Sequence, residues 1–275
     1  MNRERIAAWV ASIILLMGCQ QEAPEITYDF RQGVITKGGK HYKFAQTANG
    51  DMGCYTSDDL QVWEREGTAL KSEIEAVSPI AYGCTMSSPS VLYNARSKQF
   101  VMWFQLEINN QADWAAYAAV AVSKQIEGPY QFVRAGRVNP MKYPAEMTTN
   151  ERITLDTLQW KNYHSKGSKE WNNAVKKGLL VKRDLPGGQM AGEMSLFVDM
   201  DGKGYHIYVS EEGWALHLAE LTDDYLSHTG KYIRIAVGQQ HGSPYLSKGT
   251  KSYQLISLQD TLTSPTIWGP WNKTM

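Results

Sequence analysis

Ser195-Leu196-Phe197-Val198-Asp199-Met200-Asp201-Gly202-Lys203-Gly204-Tyr205-His206-Ile207-Tyr208-Val209 is two short apolar runs separated by a polar, glycine-bearing turn. β-Branched and aromatic residues suit a pleated, packed surface, and Asp-Gly suits a tight turn, so the stretch reads as a β-hairpin. The same plan recurs from Gly33 to Ala45, around Gly39-Lys40-His41-Tyr42, and from Ser90 to Gln105, around Ser97-Lys98-Gln99-Phe100. It returns from Pro244 to Leu258, around Thr250-Lys251-Ser252-Tyr253. Each hairpin is followed by an outer strand that runs into a turn: Cys54 to Leu60, Val120 to Ser123, Leu216 to Leu226, and Thr263 to Trp271. Repetition at this scale is the signature of stacked units that cannot bury their faces alone. Four units, each about one four-stranded sheet, predict an all-β fold of the β-propeller type.

Between the second and third units, from about Arg137 to Ala191, the plan lapses. Pro140 and Pro144 open this stretch, Lys169 to Leu180 predicts one short helix, and Pro186-Gly187-Gly188 predicts a turn. It reads as an excursion over one face of the propeller. The chain thus divides into a leader over residues 1–18, a tether over 19–30 and a propeller over 31–275.

The leader is an address. Arg3 and Arg5 precede an apolar run from Ile6 to Met17, short for a membrane span and soon followed by polar residues, as in a secretory signal. Leu16-Met17-Gly18-Cys19 resembles a bacterial lipobox, which implies acylation of Cys19 and an extracytoplasmic protein anchored to a membrane by lipid. Cys54 and Cys84 remain, and two buried thiols are preferred to a disulfide. Lys+Arg and Asp+Glu both number 28, so no basic field exists for a nucleic-acid partner. Nine Trp and fifteen Tyr serve either a β-rich core or stacking on sugars.

The run from Met194 to Glu212, with Ala219-Glu220-Leu221-Thr222-Asp223-Asp224-Tyr225-Leu226-Ser227, resembles glycoside hydrolase family 43. More narrowly, it is similar to the exo-β-1,3-galactanase and β-galactosidase members. The resemblance implies a five-bladed propeller with a central pocket, and hydrolysis of galactose- or arabinose-containing polysaccharide with inversion. Inversion needs one acid to protonate the leaving oxygen and a base on the opposite face to activate water.

Residue by residue, this chain departs from the family pattern. Arg-Asp-Met, whose Asp tunes the acid, corresponds to Gly192-Glu193-Met194, which keeps the charge one methylene further out. Glu-Ala-Pro, whose Glu is the general acid, corresponds to Gly242-Ser243-Pro244. Glu-Arg-Pro-Lys corresponds to Ser87-Ser88-Pro89-Ser90, and Gln46 stands where blade one often ends in Glu. The sequence supplies four blades where the family has five, so either the ring closes with four or the chain is a truncated descendant.

Two functions follow. One is a hydrolase with Glu193 as its catalytic carboxylate; the other is a glycan-binding lipoprotein that has lost the chemistry. A chain that no longer folds is a third possibility, which cooperative unfolding would oppose. Trp103, Trp114, Tyr117, Glu211 and Trp214 are the expected contacts to an oligo- or polysaccharide. The six histidines show no zinc spacing, and no transition-metal site or cofactor is expected. Asp199-Met200-Asp201-Gly202 leaves a structural calcium ion open, although Asp-Gly at a hairpin tip is its commoner use.

Overall fold

The computed structural model describes residues 25–75, 77–108, 115–158, 166–258 and 260–274. Five strands form the first sheet in chain order: β1 (Ile26–Asp29), β2 (Val34–Lys37), β3 (Lys40–Gln46), β4 (Met52–Ser57) and β5 (Glu64–Leu70). The second holds β6 (Thr85–Asn94), β7 (Gln99–Glu107), β8 (Tyr117–Ser123) and β9 (Gln131–Gly136). Three helices follow, α1 (Thr149–Thr157), α2 (Lys169–Lys176) and α3 (Leu179–Asp184). The third sheet holds β10 (Met194–Val198), β11 (Gly204–Ser210), β12 (Ala215–Leu221) and β13 (His228–Ile235). The fourth holds β14 (Tyr245–Lys248), β15 (Tyr253–Ile256), β16 (Thr261–Ser264) and β17 (Asn272–Lys273). Every neighbouring pair is antiparallel, and the described residues make a four-bladed β-propeller.

The inner strands bring the blades together: β6 packs on β3 and β10, and β10 on β14. Because each middle sheet is covered on both faces, alternate residues of one strand enter different apolar layers. On β7, Phe100, Met102 and Phe104 face the first sheet while Val101 and Trp103 face the third. On β11, Tyr205, Ile207 and Val209 face the fourth sheet while Tyr208 faces the second. This two-sided burial removes the polar half of the usual strand alternation, which is why these strands read as continuous apolar runs.

Two expectations are corrected. The stretch 19–30 is not wholly a tether, since β1 lies within it and pairs Tyr28 with Ile35. Tyr28 is held there because its ring packs in the core and its hydroxyl oxygen accepts from the Tyr93 N–H at 3.0 Å. The excursion holds three helices, not one. Gly178, at φ +82°, breaks the expected helix between α2 and α3, a left-handed conformation that glycine adopts without a Cβ penalty. Helix α1 begins at a capping box, Thr148 with Glu151, and ends on the Lys182 ammonium, which donates to three carbonyls at 2.8–2.9 Å. Among the described residues no helix is long and apolar enough to cross a membrane. Residues 1–18 and Cys19 lie outside the described residues.

Candidate functional site

Antiparallel pairing places the start of β10, the end of β11 and the entry to β14 on one rim of the propeller. Glu193 sits there, fixed by its backbone: the Val209 N–H donates to its carbonyl at 2.9 Å and the Gly192 N–H to the Val209 carbonyl at 2.8 Å. Its side chain is exposed, and Oε2 accepts from the Ser243 N–H at 2.5 Å and the Ser243 hydroxyl at 2.7 Å. Ser243 turns its N–H toward Glu193 from a left-handed backbone, φ +45°. A Cβ added to Gly242 would lie 3.5 Å from the same carboxylate oxygen. The fold therefore unites Glu193 with Gly242-Ser243, although half a hundred residues separate them. Ser243 is the partner that sequence reasoning missed, because in Gly242-Ser243-Pro244 only the acid missing at Gly242 stands out.

Other expected contacts lie elsewhere. Trp103 is fully buried, packs against His206 and His228, and donates its indole N–H to the Tyr225 carbonyl at 2.8 Å, so it is a core residue and no sugar platform. Glu211 is also fully buried and is corrected likewise. Arg234 grips it from two nitrogens, Nε at 2.6 Å and Nη2 at 2.7 Å, while His217 Nε2 donates at 3.0 Å. Burial pushes the Glu211 carboxyl upward, but Arg234 and His217 outweigh it and hold the group below the usual range. His217, buried beside it, is held below its ordinary range by burial, so the contact is a neutral imidazole donating to a carboxylate.

Tyr117 opens β8 and packs half-buried against the first apolar layer. Trp214 lies half-buried against Trp171, Val175 and Leu180, roofed by the excursion. Trp114 lies outside the described residues. Gln46 spends its amide on the Gly50 and Cys84 carbonyls, at 3.0 and 3.1 Å, tying the first blade to the second. Ser87 begins a bulge in β6, and Ser88 has φ +48°. Cys54 and Cys84 are buried and unpaired. The Asp199 carboxylate is engaged by Lys248 and Tyr253, and no group of three metal-ligating side chains is found among the described residues.

Four antiparallel sheets around an axis, with a carboxylate at the rim opposite the hairpin tips, define a β-propeller with an acid-bearing rim. Neither a family model nor a curated protein matches the sequence. Solved structures do. A family 43 β-1,3-galactosidase, in complex with galactodeoxynojirimycin, is 42% identical with a TM-score of 0.80, over 88% of this chain and 74% of that one. An exo-β-1,3-galactanase from Clostridium thermocellum is 27% identical with a TM-score of 0.64, over 87% of this chain and 46% of that one. The galactanase from Phanerochaete chrysosporium, at 21% identity and TM-score 0.63 over 88% and 48%, shares the fold. The chain spans about half the length of these two galactanases. It belongs to glycoside hydrolase family 43.

Proposed function

We propose that this chain recognises β-1,3-linked galactosides at the rim around Glu193 and Ser243, and that it has largely given up their hydrolysis. The observation that carries the reading is the contact between Glu193 Oε2 and Ser243, beside a position that holds only the hydrogen of Gly242. The likeness to a β-1,3-galactosidase supports the substrate class. The resemblance puts the general acid at Gly242, and no side chain there can protonate a leaving oxygen. Loss of a positioned acid removes roughly 10²- to 10⁴-fold of rate. A galactoside-binding protein needs only the shape and the hydrogen-bonding groups. Acylation at Cys19 and an extracytoplasmic place on a membrane belong to the same proposal, supported by Arg3, Arg5 and Leu16-Met17-Gly18-Cys19.

The test is calorimetry and galactose release on β-1,3-galactobiose, with the wild-type chain and Gly242→Glu. A Cβ at 242 meets nothing closer than 3.5 Å, so the substitution is sterically tolerated at its base. Binding without release by the wild type, with release gained in Gly242→Glu, is expected. Galactose release by the wild type that disappears in Glu193→Gln would instead make the chain a working hydrolase with Glu193 as its carboxylate.

A further inference from the structure

The turns between β2 and β3, β6 and β7, β10 and β11, and β14 and β15 lie on the rim opposite Glu193, and side-chain contacts join them into one face. Lys37, beside the first turn, holds its ammonium over the Phe100 ring, just past the second. Arg96 of the second pairs with Asp223, and the neighbouring Tyr225 donates its hydroxyl to the Gly202 carbonyl of the third at 2.5 Å. Asp199, at the third, pairs with Lys248, at the fourth, at 2.6 Å. The described chain enters at this face, where the Gly38 N–H of the first turn donates to the Glu25 carbonyl at 3.4 Å. Cys19 is only six residues earlier, and six residues reach about 20 Å at full extension. A body of this length has a radius of gyration of about 18 Å and a width of about 45 Å, so the tether is less than half as long as the body is wide.

The face carries cations in a regular order, since each turn closes on a lysine: Lys40, Lys98, Lys203 and Lys251. Lys40 pairs with Glu66, whereas Lys98, Lys203 and Lys251 are exposed and hold no ion pair among the described residues. Met200, an apolar side chain 91% exposed, stands in the third turn beside the unpaired Asp201. The other acids on this side lie on the outer turns: Asp58 and Asp59 after β4, Glu127 after β8, Asp223 and Asp224 after β12. Positive charge is thus set toward the axis and negative charge toward the circumference.

We propose that this hairpin-tip face lies against an anionic phospholipid surface and that the rim of Glu193 and Ser243 points away from the membrane. The proposal rests on acylation of Cys19 in the reading above. The acyl chains supply the affinity. The tether keeps Glu25, and with it the tips, within about 20 Å of the bilayer. Lys98, Lys203 and Lys251 then set the orientation, because their attraction to anionic headgroups acts within a Debye length, about 8 Å in physiological salt. A polysaccharide reaches Glu193 from the solvent side without passing between protein and lipid.

The experiment reads orientation on the full acylated chain, reconstituted in phosphatidylethanolamine vesicles with or without phosphatidylglycerol. A fluorophore is attached at Met200→Cys or at Ile74→Cys, the latter 93% exposed in the loop that leads into β6 on the Glu193 rim; Cys54 and Cys84 are buried. Lipids with a headgroup quencher are expected to quench the label at 200 and to leave the label at 74 bright. Lys98→Glu, Lys203→Glu and Lys251→Glu combined are expected to abolish this contrast on phosphatidylglycerol vesicles, while the chain still floats with them and melts as the wild type does. Equal quenching at both positions, or stronger quenching at 74, would overturn the orientation. A contrast that survives the combined substitution would remove the lysines as its cause. A wild-type chain that fails to float, as Cys19→Ser is expected to fail, would instead overturn the acylation reading itself.

Discussion

Two glutamates mark the ends of what a residue type can reveal. Glu193 and Glu211 are both acids near strand ends, yet one is exposed against Ser243 and the other sealed under Arg234. Their difference is a matter of energy. A buried ion pair contributes little net stability when intact, but removing one partner leaves an uncompensated charge, at a cost of about 3–5 kcal/mol. Arg234→Met is therefore expected to lower the unfolding free energy by that order in urea titrations. Removal of Lys40, which pairs with Glu66 on the surface, is expected to cost under about 1 kcal/mol. Equal, small losses in both variants would show that Glu211 finds water or another donor.

At the scale of the element, the hairpins were legible because turn and strand residues alternate in a fixed order. The excursion was not, because its helices depend on partners far away: Ala145 donates to the Tyr232 carbonyl at 2.7 Å, and Arg234 to the Val175 carbonyl at 2.5 Å. The third hairpin also contains a packing constraint that no turn rule shows. A methyl in place of the Gly204 hydrogen would lie 2.8 Å from Tyr225 Cδ1, and the Tyr225 hydroxyl donates to the Gly202 carbonyl at 2.5 Å. Gly204→Ala is expected to destabilise the protein by about 1–3 kcal/mol through overpacking. A urea midpoint equal to the wild type would mean that the Tyr225 ring yields freely.

Across the whole molecule, the layer between the second and third sheets holds a histidine pair, buried His206 through Nδ1 and half-buried His228 through Nε2 at 3.0 Å, with Trp103 against both rings. The second nitrogen of His206 lies 3.2 Å from Met194 Sδ, and Arg134 stacks over Trp103. Burial, aided by the nearby Arg134 charge, pushes His228 down to about 3 and His206 well below its ordinary range. The folded state thus holds both rings neutral, whereas the unfolded chain protonates them near pH 6.5. Stability is full above that pH and falls as pH drops through 6.5 toward 3, by on the order of 2 kcal/mol at pH 5 for His228, with His206 acting in the same direction. His217 and His241, also lowered, act in the same direction, while Glu211, held below its usual range, contributes only at lower pH. Urea midpoints at pH 8 and pH 5 check this; equal midpoints would sink it.

By itself the sequence determined the all-β repeat, the number of sheets, the place of the excursion and the family likeness, because hairpin formation rests on neighbours a few residues apart. Only the tertiary structure decided which acids and aromatics face solvent. Trp103 and Glu211 looked like ligand contacts because strand ends in a propeller approach the rim, but two-sided burial of the sheets turned both inward. Ser243 became a partner of Glu193 only when sheets distant in sequence were stacked. Local pattern sets which face of a strand is apolar, whereas a site is set by what the neighbouring sheets place opposite that strand's end.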